Sequence, residues 1–162
     1  MGPEKPHLFQ FWDGPAPPSE VTELLVTWQS EPGFTYQRFN AAEAEAFIAD
    51  HLGARATAAY RRCAIPAMQA DFFRYAALYI KGGVYVDAGT SNRGGLGAMI
   101  AKARRGILVT KGDIIMSAFL FVRSPQDPLY GRMIDQAIIN IENRISNSSW
   151  VVTGPRIPTA MH

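Results

Sequence analysis

Two carboxylates and one guanidinium are the groups best placed to do chemistry. Asp71 and Arg74 stand three apart in the stretch MQADFFRYAALYIK (68–81), a spacing that puts both on one face of a helix. On spacing alone they read as an exposed ion pair worth about a few tenths of a kcal/mol. Their neighbours Ala70, Phe72 and Phe73 offer so little polar surface that a site is the second reading. Asp87 follows the apolar run Val84 to Val86 and opens DAGTSNRGG (87–95), a polar, glycine-rich loop. Ligands of open α/β sheets bind outside the carboxyl ends of strands. An anionic ligand such as a diphosphate would be repelled by Asp87 unless Mg²⁺ or Mn²⁺ lay between them, with Arg74 or Arg93 neutralising the remainder. The plainer reading of Asp87 is an Asx-type cap on its own loop, and of Gly94 and Gly95 a turn, since no GxGxxG or GxxxxGK motif is present.

Other chemistries find no support. There is no HExxH, no GxSxG and no zinc-spaced Cys/His set, and the imidazoles are His7, His51 and His162 alone. A serine or cysteine hydrolase is therefore not expected. The single Cys63 cannot form an internal disulfide and reads as a core thiol, which makes a reducing, cytoplasmic setting the expectation.

The elements that must position these residues alternate. Leu8 to Trp12 reads as a buried strand, and Ser19 is expected to cap a helix to about Gln29 in which Val21, Leu24, Leu25 and Trp28 recur at helical spacing. Phe34 to Phe39 reads as a second strand. Asn40 with Glu43 forms a capping box, and its helix should stop at Gly53 and resume over 54–63. Pro66 opens a helix through Lys81 that is covered on most of its circumference, and Gly82 and Gly83 end it. A strand over 84–86, a helix over 96–103, strands over 107–110 and 115–122, and a helix from the Asp127 cap to about Ile145 follow. This rhythm predicts one α/β domain spanning 1–162. The segment after Val152 reads either as a tail or as the start of an element whose remainder is missing.

Composition agrees. The chain has 162 residues, 48% hydrophobic and 19% charged, with a net charge of +2; a domain of this size buries about 68–70% of its unfolded surface. Twelve arginines against four lysines suit bidentate binding of carboxylate or phosphate. There is no basic stripe with interleaved aromatics, so nucleic acid is not an expected partner. No apolar run reaches transmembrane length, and Pro6 stands where a myristoylation signal has Ser or Thr.

The segment MQADFFRYAALYIKGGVYVD (68–87) resembles the signature of the DXD sugar-binding glycosyltransferases, glycosyltransferase family 32, whose catalytic core is related to that of the large clostridial glucosylating toxins. Their pattern is roughly A-x-D-x-x-R-Y-x-x-L-Y-x-x-G-G-x-Y-x-D-x-D. PHLFQFW (6–12) resembles the family's opening strand, Asp127-Pro128 falls where His-Pro often precedes a late helix, and Thr153-Gly154-Pro155 matches a late Thr-Gly-Pro. The resemblance implies a small or truncated GT-A fold and a hexosyltransferase-like enzyme. Such an enzyme takes a nucleotide diphosphosugar to a glycan, lipid-linked or protein acceptor, and a lipid-linked acceptor would bring it to a membrane surface. It places Trp12 near the base and Asp71 and Arg74 near sugar, ribose or phosphate. Asp87 becomes the first DXD aspartate and the main ligand of Mn²⁺ or Mg²⁺. The second aspartate position is Gly89, which leaves that ligand to water or to a side chain such as Asp113. Ser117 also departs from the asparagine common in relatives. A catalytically impaired nucleotide-sugar-binding homologue is the alternative, and a purely structural protein the third reading.

Overall fold

Strand β1 (His7–Phe11) buries Leu8, Phe9 and Phe11 on alternating sides, so helices must cover both faces of its sheet. The computed structural model describes residues 4–161; His162 and residues 1–3 lie outside them. After β1 come α1 (Ser19–Gln29), β2 (Thr35–Phe39), α2 (Ala41–Arg61), α3 (Pro66–Lys81), β3 (Gly83–Val86) and α4 (Leu96–Lys102). The hairpin β4 (Gly106–Lys111) and β5 (Ile114–Val122) leads to α5 (Pro128–Glu142), α6 (Ser149–Val152) and α7 (Arg156–Met161). The sheet order is β2-β1-β3-β5-β4, with β1 parallel to both β2 and β3 and β5 antiparallel to β3 and β4. This is the mixed α/β, GT-A-like arrangement expected.

The pleat sorts the core into two layers. Phe9, Phe11, Phe39, Tyr85, Leu120 and Val122 pack against α2, α3 and α5. Leu8, Val84, Val86 and Phe121 face Trp28 of α1 and Leu96 and Ile100 of α4. Phe73 is the hub of the first layer, its ring centroid 4.7 Å from Phe39, 5.8 Å from Phe11 and 6.4 Å from Phe9. Residues 71–78 of α3 are all buried, as its apolar content predicts. Gly83 is required by close approach, because a Cβ there would lie 2.3 Å from the carbonyl oxygen of His7 and its φ is +96°.

Local signals mostly hold, with three differences. The Asn40–Glu43 capping box is present, and Gly53 breaks α2 with φ 79°. Ser19, however, is the first helical residue rather than the cap; Pro18 occupies the cap position and no side chain caps it. Helix α5 stops at Glu142, because Arg144 turns left-handed with φ 50°. The segment after Val152 is a packed element, with Thr153, Gly154, Ile157 and Pro158 buried and α7 lying against α5 and β5. Among the described residues, no helix is long and apolar enough to cross a membrane.

Candidate active site

Strands β1, β2 and β3 run parallel, so their carboxyl ends open on the same side of the sheet. There the chain leaves β1 through Trp12 and Asp13 and leaves β3 through Asp87. Those segments, with Pro66, Ala67 and Ala70 of α3, wall a cleft of about 530 Å³ whose lining includes Tyr85, Gly89 and Thr90. That volume lies within the range of about 300–1,000 Å³ typical of small-molecule sites. The loop after Asp87 is held by α1: the Trp28 indole donates to the Thr90 carbonyl at 2.7 Å, and the Asn92 backbone amide donates to the Thr27 hydroxyl at 2.9 Å.

Behind this wall lies a buried ionic cluster. Arg74 is 4% exposed and Asp71 7%, so the pair is interior rather than on the surface. One Arg74 nitrogen, Nη2, forms ion pairs with both Asp71 Oδ1 at 3.1 Å and Asp87 Oδ1 at 3.0 Å. Nη1 donates to the Ser117 carbonyl and Nε to the Ala70 carbonyl at 3.3 Å. The guanidinium also lies 4.6 Å from the centre of the Tyr85 ring, a cation–π contact. Burial opposes the Arg74 charge, but Tyr85, Asp71 and Asp87 together outweigh it and hold its pKa above the ordinary value. Arg74 is thus enclosed by protein groups. Asp87 differs, because its side chain is 37% exposed and it lines the cleft. Arg74 meets Oδ1, the buried Tyr85 hydroxyl is a second hydrogen-bonding neighbour of the carboxylate, and the exposed part of the group faces the cleft. No backbone cap by the Asp87 carboxylate is present, and the Asx turn of the loop belongs to Asn92, whose Oδ1 accepts from the Gly94 amide at 2.8 Å.

The structure therefore brings Trp12, Asp87 and Gly89 to one cleft and places Asp71 and Arg74 immediately behind it. Arg93 falls outside: Asn92 is tied to Thr27 of α1 and to Glu31 just after it, and Arg93 is exposed. Asp113 is also outside, exposed in the β4–β5 turn beside Gly112 at φ 61°. Three contributors have weak sequence signatures. Ser117 acts through its backbone carbonyl, Tyr85 through its ring face, and Gln10 donates to the Asp87 carbonyl at 3.5 Å. Of these only Gln10 carried a readable signal, a polar residue inside an apolar strand.

Burial pushes the Asp71 pKa from its ordinary 3.8 up to about 6, with Arg74 and Thr153 pulling it down and Asp87 adding to the rise. A carboxyl raised on folding binds its proton more tightly in the native state. Its contribution to stability is then fullest below the unfolded value and is lost as pH rises through the folded one. The stability of the wild type relative to Asp71→Asn should accordingly fall between about pH 4 and pH 6 and level off above it, in urea titrations at each pH. A difference that is flat over that window would remove the assignment.

A resident Mn²⁺ or Mg²⁺ would need several oxygen ligands. Asp87 has one carboxylate edge free of Arg74, Gly89 has no side chain, and no group of three or more His, Cys, Asp or Glu able to hold a metal exists among the described residues. The protein groups alone do not fit a tightly held Mn²⁺ or Mg²⁺.

A family model described as "Glycosyltransferase sugar-binding region containing DXD motif" matches residues 19–100. No curated protein matches the sequence. Among solved structures, "PaToxG Glycosyltransferase" superposes with a TM-score of 0.75 at 14% identity, over 98% of this chain and 67% of that one. At that identity the likeness speaks for the fold.

Proposed function

The chain belongs to the family of glycosyltransferase sugar-binding regions containing the DXD motif, and from that premise we propose that its cleft binds a nucleotide diphosphosugar and passes the sugar to an acceptor hydroxyl. The observation that carries this reading is Asp87, fixed on one edge by Arg74 and presenting the other to a cleft walled by Trp12. Trp12 offers an apolar face on which a nucleobase can stack, and the exposed part of the Asp87 carboxylate can accept from donor hydroxyls. In the transfer, the bond between the anomeric carbon and the diphosphate breaks as a bond to the acceptor oxygen forms, and the acceptor proton leaves to the diphosphate or to solvent. Arg74 keeps Asp87 oriented for that geometry from behind, and Asp71 keeps Arg74 in place. Kinship with glycosyltransferase family 32 and the clostridial toxin core, the extent of the domain over 1–162, and a cytoplasmic site of action belong to the same proposal.

A panel of UDP- and GDP-sugars, titrated calorimetrically with and without Mn²⁺, tests it. Base stacking is worth about 1–3 kcal/mol, so Trp12→Ala should weaken binding roughly tenfold. Asp87→Asn, which removes a charge-assisted acceptor worth about 1.5–3 kcal/mol, should do at least as much. Equal affinities for the wild type and both variants would sink the reading. The absent carboxylate at Gly89 favours a second reading, donor binding without turnover, and the same panel scored for donor hydrolysis and transfer separates the two.

A further inference from the structure

Thr153 lies between α6 and α7, 82 positions from Asp71, yet it is fully buried against α3. Its hydroxyl donates to Asp71 Oδ2 at 3.1 Å, sharing that hydrogen with the Ser149 carbonyl at 3.3 Å. Its own carbonyl accepts from the Tyr75 hydroxyl at 2.8 Å, so one residue grips α3 on both sides of Arg74 in sequence. Asp71 then has Oδ2 on Thr153 and Oδ1 on Arg74, while the same Arg74 nitrogen that meets Asp71 also meets Asp87. A continuous run of short polar contacts leads from the chain's last helices to the carboxylate at the cleft wall.

We infer that Thr153 is a positioning residue for the donor cleft, fixing Asp71 and through it the Arg74 guanidinium that sets the orientation of Asp87. The inference rests on the reading of that cleft as the donor site. A buried carboxylate oxygen deprived of its donor must find another, and the Arg74 guanidinium, already 3.1 Å from the other oxygen of the same carboxylate, is the donor group at hand. When Arg74 turns toward Asp71, the Asp87 edge it holds is released into the cleft and the ligand-facing oxygen loses its fixed direction. The hydroxyl matters and the methyl does not, so serine should replace threonine and valine should not. The neighbours that bear on Asp71 are Arg74 on its own helix, Asp87 after β3, Cys63 before α3 and Tyr75 beside it, and all are unchanged in these variants.

The test compares Thr153→Val and Thr153→Ser for binding of UDP and GDP and for the ¹⁵N–¹H signals of the Arg74 guanidinium. A lost hydrogen bond to a charged group should weaken the nucleotide about tenfold in the valine chain and leave the serine chain within roughly twofold. The Arg74 signals, pinned in the wild type and in the serine chain, should broaden or shift with valine. A valine chain that binds like the wild type, or keeps the wild-type Arg74 signals, overturns the inference. If the wild type binds neither nucleotide, the donor reading fails, and the Arg74 signals alone decide the positioning: a change with valine but not serine supports it, and no change overturns it. If the valine chain does not fold, Thr153→Ala is read against Thr153→Ser by the same criteria.

Discussion

Replacing Arg74 by alanine should lower the free energy of unfolding by about 3–5 kcal/mol, the scale seen when one partner of a buried charge pair is removed. The reason is not the worth of the ion pair. It is what remains: Asp71, 7% exposed, would keep only the Thr153 hydroxyl, and the Ser117 carbonyl would lose its Arg74 donor. Against a total stability of about 5–15 kcal/mol for a domain, that loss is a large fraction. Lysine should rescue little, because a single ammonium cannot reach Asp71, Asp87 and two carbonyls in the fork geometry the guanidinium uses. Arg104, exposed before β4, is the control, and Arg104→Ala should stay within about 0.5 kcal/mol. Urea denaturation at neutral pH measures both. A cost below about 1 kcal/mol for Arg74→Ala would mean the cluster is wetter than its burial indicates. Weakened nucleotide binding by a folded Arg74 variant would act through Asp87, since the guanidinium itself is enclosed.

Much of this was legible because the signals are local. The helix beginning at Pro66, its glycine stop and the strand ending at Asp87 each announce themselves within a few residues, and together they place Asp71, Arg74 and Asp87 close in space. What the spacing could not convey is which way the pair faces. The i,i+3 rule says that Asp71 and Arg74 are neighbours on α3, but burial is decided by what packs on that face. Part of the answer is Thr153, supplied from the far end of the chain. The Ser117 carbonyl has a weak sequence signature, since every residue offers the same backbone acceptor. Arg93 looks like a donor-binding residue in sequence because it shares the loop that opens at Asp87; the Asn92 contacts to Thr27 and Glu31 that hold this loop join segments more than 60 positions apart. Asp113 suits a replacement ligand by chemical type alone, and a hairpin tip carries no information about what lies beside it.

Substituting aspartate at Gly89 should tighten Mn²⁺ binding in the presence of UDP or GDP by about 100-fold, since losing even an indirect metal support costs roughly 10–100-fold in affinity. Whether glycine is required at this position decides the experiment. Gly89 has no positive φ, and a Cβ built on it meets nothing within 4 Å, so the backbone is open to an ordinary side chain and the space for it is empty. Two of the glycines nearby are different: Gly94 and Gly95 have φ 84° and 83°, and a side chain at either would be strained. The new carboxylate would stand two residues from Asp87 in the same cleft, and with the exposed part of the Asp87 carboxylate it would complete a donor set that the present chain lacks. In the wild type one carboxylate edge has to share a cation with water and donor phosphates, so its affinity should be low and should depend on the nucleotide. Titration of Mn²⁺ into the nucleotide complex of each chain measures the difference, with Gly89→Asn as the uncharged control. Donor hydrolysis should rise in parallel if turnover is limited by the leaving diphosphate. A folded Gly89→Asp chain with neither gain, beside a wild type that is active and indifferent to chelator, would show that this cleft works without a cation and that Gly89 marks a departure in chemistry rather than a missing ligand.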